Sequence, residues 1–304
     1  MTPRVAVLLS TYNGARWLDA QLESLAAQTG VEVAVFARDD GSRDETCAIL
    51  ARWSDRWPAL AAVASGPNLG PAASFLALLR DAPDGFDAYA FCDQDDVWRP
   101  DKLARATTRL SQASGEALYC SRVLCVDEAL HPLGPSPVKC DGRFEHLLYE
   151  NIAFGVTVVM NAAAARRVRA RPPGRGVIMH DWWSALVVSA FGEVIWDEAP
   201  GVLYRQHGGN EIGQAVGGAA EFARQVRNFL RAPGRYWPVC AQAAEFRRLW
   251  GDELDPARRA LLDAFVDSKA SLGRRLAFAA SGRIVRESLA GRLAARALIA
   301  AGLY

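Results

Sequence analysis

Residues Tyr89 to Lys102 read YAFCDQDDVWRPDK, and the rest of the chain is organised around this stretch. Ala88 to Cys92 is an apolar run of the length of a buried strand, and it leads directly into three carboxylates, Asp93, Asp95 and Asp96. They therefore emerge at a strand's C-terminal end, the edge where open α/β sheets bind ligands. Clustered like charges repel unless a cation or hydrogen-bond donors offset them. Oxygen ligands with no adjacent His or Cys suit Mg2+ or Mn2+. The same residues also suit an acidic turn ahead of a helix, with Pro100 as first helical residue and Asp101 in the first turn.

Upstream, Val5 to Leu9 is a short aliphatic run closed by Ser10, Thr11, Tyr12, Asn13 and Gly14, and Trp17, Leu18, Leu22 and Leu25 then recur at helical spacing. Val31 to Ala37 gives a second strand that runs into Asp39, Asp40 and Gly41, and a helix carrying Ile49, Leu50 and Trp53 follows. A third strand, Leu60 to Ala64, meets Asn68, Leu69 and Gly70 before a helix with Phe75, Leu78 and Leu79. Strands alternating with helices of this length need crossovers, which predicts a doubly wound, mainly parallel α/β sheet flanked by helices. Each polar cluster follows a strand, so Thr11 to Asn13, Asp39 and Asp40, Asn68, and Asp93 to Asp96 all fall on one edge. Four separate loop caps would use the same residue types. As one site, Tyr12 offers a flat face to a nucleobase, Thr11 and Asn13 offer hydrogen bonds, and Asp39 or Asp40 can accept a ring N–H. Neither GxGxxG nor GxxxxGK[ST] is present, so neither a dinucleotide fingerprint nor a P-loop is available.

STYNG, RDDGS, NLG and FCDQDDVWRP, in this order and spacing, resemble the nucleotide-sugar-binding half of glycosyltransferase family 2, and DQDDVW is similar to its rhamnosyltransferase-like branch. The resemblance spans residues 4 to about 214. It implies a GT-A fold in which Thr11, Tyr12 and Asp39 or Asp40 hold the base, while Asp93 and Asp95 form a DxD pair for ribose and metal, with Asp96 sharing the metal.

The composition fits a globular enzyme: 304 residues, 51% apolar, 23% charged, and a net charge of +1 that gives no general pull toward nucleic acid. Charge is nonetheless uneven, with fifteen Arg and Lys against eight Asp and Glu over residues 219–304. Six dispersed cysteines make neither a zinc motif nor a disulfide framework. With no secretory signal and no long apolar run, the expectation is a cytoplasmic protein without a transmembrane helix.

Further along, Leu118 to Val126 reads as one strand and His131 to Arg143 as a Pro- and Gly-rich acceptor-side loop. His180, Asp181, Trp182 and Trp183 open a helix. An acceptor hydroxyl loses a proton as it attacks, and a carboxylate beside two indoles is partly desolvated and hence a better base. A first-turn or cap role for Asp181 is compatible with that. The resemblance also places the family's general base at Asp181. His180 reads as an acceptor-orienting group or a structural histidine. Arg205 and His207 alternate in an extended segment, so both can face a diphosphate or metal from one side. The family's processive QxxRW motif is absent, which implies single-sugar addition.

The expectation is therefore a GT-A domain over residues 1–218 and a helical extension over 219–304. The predicted enzyme is an inverting, Mg2+- or Mn2+-dependent glycosyltransferase of cell-surface polysaccharide synthesis. The resemblance implies dTDP-L-rhamnose as donor, with UDP-hexose as alternative, and a glycan or lipid-linked hydroxyl acceptor. A metal-dependent nucleotidyltransferase or phosphohydrolase and a non-enzymatic nucleotide binder are the competing classes. Arg274, Arg275, Arg283, Arg286, Arg292 and Arg296, against the single acid Glu287, give the tail the composition of an interfacial helix at the inner membrane leaflet. A solvated helix or a homodimer contact is the alternative reading of that tail.

Overall fold

The computed structural model describes residues 1–138, 141–174, 176–207, 239–285 and 289–304. The first half follows the sequence pattern closely. Strands β1 (Arg4–Thr11), β2 (Glu32–Asp39), β3 (Leu60–Ser65) and β4 (Ala88–Cys92) alternate with helices α1 (Leu18–Ala26), α2 (Thr46–Arg56) and α3 (Pro71–Asp81). Leu18, Leu22 and Leu25 of α1 are buried, as their helical spacing requires, and Pro71 stands at the start of α3, where its missing N–H costs nothing.

After β4 come β5 (Val97–Trp98), α4 (Lys102–Leu110), β6 (Ala117–Ser121), β7 (Leu124–Val126) and β8 (Pro132–Pro135). They are followed by α5 (Phe144–Leu147), a 3-10 turn (Gly155–Thr157), β9 (Val159–Asn161), α6 (Ala162–Ala170), α7 (His180–Phe191), β10 (Glu193–Asp197) and β11 (Val202–Arg205). The seven-stranded sheet runs β10-β6-β9-β4-β1-β2-β3 and is parallel except for β9. Beside it lies a four-stranded sheet, β5-β11-β7-β8.

Three local expectations are corrected. Helix α4 begins at Lys102 and not at Pro100, whose carbonyl instead accepts the Thr29 N–H at 2.9 Å and ties the segment to the end of α1. The stretch Leu118 to Val126 is two strands in two sheets. The chain breaks from the main sheet at Arg122, whose guanidinium is drawn to the Ser136 carbonyl at 2.8 Å, and Val123 then donates to the Ser136 hydroxyl at 3.2 Å. The segment expected to be a loop after His131 contains β8, which pairs with β7.

Register aligns the strand ends. Leu9 stands opposite Cys92, Thr11 opposite Asp39, and Asp39 opposite Ser65, so the polar residues that follow share one edge. Because β9 is antiparallel, the residues before it arrive at that same edge. Helix α7 runs back against the sheet before β10 and therefore opens there too.

Hydrophobic cores lie on both faces of the sheet, one holding residues of α1, α2 and α4, the other residues of α3, α6 and α7. Helix α7 is buried from His180 to Ala190 because a second layer covers it, built by α8 (Val239–Trp250), α9 (Pro256–Ser268), α10 (Leu272–Ala280) and α11 (Leu289–Ala301). Trp182 and Trp183 have no exposed surface, and truncating either to Ala should cost about 3–5 kcal/mol. Phe246, Trp250 and Phe265 of the second layer belong to the same core as α7. The expected domain boundary at 218/219 and the apolar positions Phe222, Val226, Phe229 and Leu230 lie outside the described residues. Among the described residues no helix is long and apolar enough to cross a membrane.

Candidate functional site

The shared edge gathers the four polar clusters into contact. The Thr11 hydroxyl donates to Asp39 Oδ1 at 2.9 Å, and Asp39 also accepts the N–H groups of Gly41 and Ser42 at 3.1 and 2.8 Å and the Ser42 hydroxyl at 2.5 Å. Burial alone would raise its pKa, but these hydrogen bonds outweigh it and hold the carboxyl below its ordinary value. Asp40 is equally enclosed: Arg38 pairs with it, and the N–H groups of Leu69 and Gly70 donate to it at 3.0 and 2.9 Å. Asn68 turns its side chain to the Gly70 N–H at 3.1 Å, the loop-cap role open to any Asn at such a turn.

Tyr12 remains about half exposed at 48%, and its backbone is clasped by a side chain that the sequence reading did not single out. Gln94 accepts the Tyr12 N–H at 2.8 Å and donates to the Tyr12 carbonyl at 2.9 Å. The clasp explains Gly14, since a Cβ there would stand 1.9 Å from Gln94 Oε1. Asn13, in the left-handed region at φ 48°, accepts the Arg43 N–H on its side-chain oxygen at 2.9 Å and donates its own N–H to Ser42 Oγ at 2.8 Å.

The carboxylates after β4 diverge. Asp93 and Asp95 are half-buried at the edge, whereas Asp96 turns inward and has no exposed surface. Its Oδ1 accepts the Arg205 N–H at 2.9 Å, and burial, followed by the charges of Asp95 and Asp93, pushes its pKa well above the ordinary range. Asp96 thus braces β11 against this loop through Oδ1, while its buried Oδ2 has no hydrogen-bond partner. Beneath it lies Lys102, fully buried with its ammonium over the Trp98 ring and its pKa pulled by burial to about 7.

As the alternating spacing predicted, Arg205 and His207 turn toward the same place. His207 Nε2 lies 2.9 Å from Asp95 Oδ2 and its ring stacks on Trp17, centroids 6.0 Å apart. Arg205 caps the same Trp17 at 4.2 Å, donates to the Asp95 carbonyl at 2.9 Å and also reaches the Glu128 carbonyl. Its guanidinium therefore ties the DQDD loop to the turn that carries Glu128. Arg16 completes the group, lying over Trp17 at 4.3 Å and pairing with Glu128 at 2.6 Å. Arg16 and Glu128 carry no local sequence signal and Trp17 reads there only as an apolar helix position, because the contacts of this group join segments remote in the chain.

No three His, Cys, Asp or Glu side chains among the described residues are grouped so as to hold an ion by themselves. Asp95 and His207 nevertheless fit a shared divalent cation, their ligand atoms lying side by side. Mg2+ in particular is usually held by one or two carboxylates together with substrate phosphates.

Asp181 lies at the mouth of α7, second residue of the helix, and is almost wholly enclosed. Burial raises its pKa to about 6, only partly opposed by hydrogen bonds from the Trp182 N–H, the Asn151 side chain and the Gly155 backbone. Gly155 is needed here, since a Cβ would stand 3.0 Å from His180 Nε2 and 3.6 Å from Asp181 Oδ2. His180 takes the structural of its two readings: it stacks on Phe75 at 4.0 Å, meets the edge of Phe91 at 4.7 Å, and burial depresses its pKa to about 3. Phe91 sits two residues before Asp93, which links α7 to the DQDD loop.

Comparison with known proteins identifies the family and the fold. The dTDP-rhamnosyl transferase RfbG of Shigella flexneri is 27% identical over 236 residues, covering 72% of this chain and 79% of that protein. The succinoglycan biosynthesis protein ExoO of Rhizobium meliloti is 34% identical over 114 residues, 38% of this chain and 32% of that one. Among solved structures, S. aureus TarS 1-349 in complex with UDP-GlcNAc superposes with a TM-score of 0.58 at 16% identity, covering 96% of this chain and 79% of that one. Mannosyltransferase PcManGT from Pyrobaculum calidifontis, in complex with GDP-Man and Mn2+, gives 0.54 at 21% identity, covering 100% and 81%. These likenesses establish the GT-A fold. The profile of "Glycosyl transferase family 2" matches residues 6–166, a stretch that carries all four polar clusters of the sheet edge, and the chain belongs to glycosyl transferase family 2.

Proposed function

We propose that this glycosyltransferase moves a single sugar from a nucleoside diphosphate donor to an acceptor hydroxyl, with inversion, and that Asp181 is the general base. The observation that carries the reading is Asp181 itself, a carboxyl raised to about 6 at the same sheet edge as Tyr12, Asp95 and His207. A carboxylate with that proton affinity is ionised near neutral pH yet accepts a proton more readily than an exposed one. One base and one direct displacement give inversion. The exposed Tyr12 ring would stack on the donor's base, with Asn13 beside it, while Asp39 and Asp40 would shape the loops around that base through their backbone contacts.

Asp93, Asp95 and His207 would hold Mg2+ or Mn2+ at the edge, and when bound such a cation offsets the charge that develops on the departing diphosphate. Arg205 holds the DQDD loop in place for this, while the Arg16 guanidinium lies beside Trp17 within the same group. The similarity to a dTDP-rhamnosyl transferase over 72% of the chain favours dTDP-L-rhamnose as donor, in cell-surface polysaccharide synthesis, with a glycan or lipid-linked acceptor. A UDP-hexose is the second reading, since a structural neighbour binds UDP-GlcNAc.

Incubating the protein with a panel of nucleotide sugars, Mn2+ and candidate acceptors tests this. Release of nucleoside diphosphate from dTDP-rhamnose, with a glycosylated product, is the expected result. Pyrophosphate release would mark a nucleotidyltransferase, and binding without turnover would mark a nucleotide-binding module.

A further inference from the structure

We infer that helices α10 (Leu272–Ala280) and α11 (Leu289–Ala301) present a lipid-docking face that seats the protein on an anionic bilayer surface. The two helices pack against one another, and their inner sides are already used: Phe278 and Ala279 of α10 and Ala295 and Ile299 of α11 belong to the core around α7. The Ser271 side chain caps α10 by accepting the Arg274 N–H at 3.3 Å, and Tyr304 packs on Phe265 at 5.4 Å. The outward sides should therefore be polar, as on an ordinary surface helix.

They are not. Leu272, Leu276 and Leu293 are 57%, 51% and 55% exposed. Leu272 and Leu276 are four residues apart and so share one stripe, flanked by exposed Gly273, Ala277 and Ala280. On α11, exposed Leu293, Ala297 and Ala301 repeat every four residues in the same way. Exposed apolar stripes on two helices that pack together mark an interaction site.

Charge identifies the partner. From Ser268 to the end, the sequence holds six arginines and Lys269 against the one acid Glu287. Arg274, Arg283 and Arg292 are exposed on this part of the surface, and no acidic side chain among the described residues pairs with them. A second copy in a two-fold contact would bring this arginine rim against itself, which like-charge repulsion opposes. A bilayer of anionic lipid offers acyl carbon to the leucines and phosphate to the arginines at once. With no spanning helix among the described residues, the pair would lie in the interface plane. This inference rests on the surface of α10 and α11 and is independent of the catalytic reading.

The test is co-sedimentation of the full chain with phosphatidylcholine vesicles, with and without phosphatidylglycerol, at low and high salt. Recovery in the pellet should require phosphatidylglycerol and fall with salt. Arg274→Gln and Arg292→Gln should each weaken binding about fivefold, and Leu276→Asp combined with Leu293→Asp should abolish it while leaving the melting temperature unchanged. Equal recovery with both vesicle types, or arginine variants that pellet like the parent, would overturn the assignment. So would a vesicle-free dimer, seen by sedimentation velocity, that Leu276→Asp dissociates.

Discussion

Asp39 and Asp181 stand on the same sheet edge and are equally hidden from water, at 1% exposure each, yet their surroundings move their proton affinity in opposite directions. Asp39 lies where the Gly41–Ser42 turn and Thr11 aim four donors at its two oxygens, so its charge is fully compensated. Asp181 lies at the start of α7 beside the Gly155 turn, where desolvation outweighs the bonds it receives. Burial therefore does not make a base by itself. The balance between burial and donors does, and it is this balance that the proposed roles of Asp39 in shaping the loop and Asp181 in proton transfer rest on.

The largest expected effect on this comparison comes from Asp181→Asn. The amide keeps the shape and loses the proton affinity, so turnover should fall by about 10²–10⁴-fold while donor affinity is retained. Measuring kcat and donor Kd separately checks this, and turnover within about threefold of the parent would reduce Asp181 to a helix-terminus acid. In the parent, kcat should rise with pH through about 6 and then level off, because the base must be ionised. Asp39, held below its ordinary value, should add no limb in that range.

Stability should move the other way at the same residue. A folded pKa raised from 3.8 to about 6 means that the folded state binds the proton more tightly than the unfolded chain. That contribution is fully present below the unfolded value and is lost as pH rises through about 6. At pH 7.5 the buried charge should cost up to about 3 kcal/mol, so Asp181→Asn should melt higher than the parent there and show no advantage at pH 4. Parallel thermal melts at the two pH values decide the point.

Asp39→Asn should instead destabilise at every pH above the ordinary carboxylate range, by about 2 kcal/mol. Its single NH2 group must face either the hydroxyls of Thr11 and Ser42 or the N–H groups of Gly41 and Ser42. A stable Asp39→Asn protein in urea unfolding would show that the donor count is not what holds this carboxylate. The smallest effect is expected at the rim, where Asp95→Asn and Asp93→Asn should each lower donor affinity in Mn2+ by about tenfold and leave affinity in chelator unchanged. Titration calorimetry with and without the cation separates the two.

Much of this was legible in the sequence because the signals are local. Short apolar runs closed by Asn, Asp and Gly fixed β1 to β4, and their alternation with helices required a parallel sheet whose polar clusters share an edge. His180–Phe191 was recognisable as a helix opening on an acid. The break at Arg122 was not legible, since Leu118 to Val126 is uniformly strand-like and only the Ser136 carbonyl and hydroxyl, supplied by a later segment, divide it. Pro100 has the right chemistry for a helix start and is withheld from it by Thr29.

Among the three carboxylates of DQDD the sequence offers no distinction. Asp95 and Asp96 are adjacent, yet one turns outward to His207 and the other inward to Arg205, and both partners come from more than a hundred residues away. The sequence by itself determined which chemistry gathers at this edge, because strand order and turn residues are encoded within each short segment. Only the tertiary structure decided which carboxylate keeps its charge, which is raised toward neutrality and which can meet a ligand, because proton affinity depends on desolvation and on donors that folding brings from distant parts of the chain.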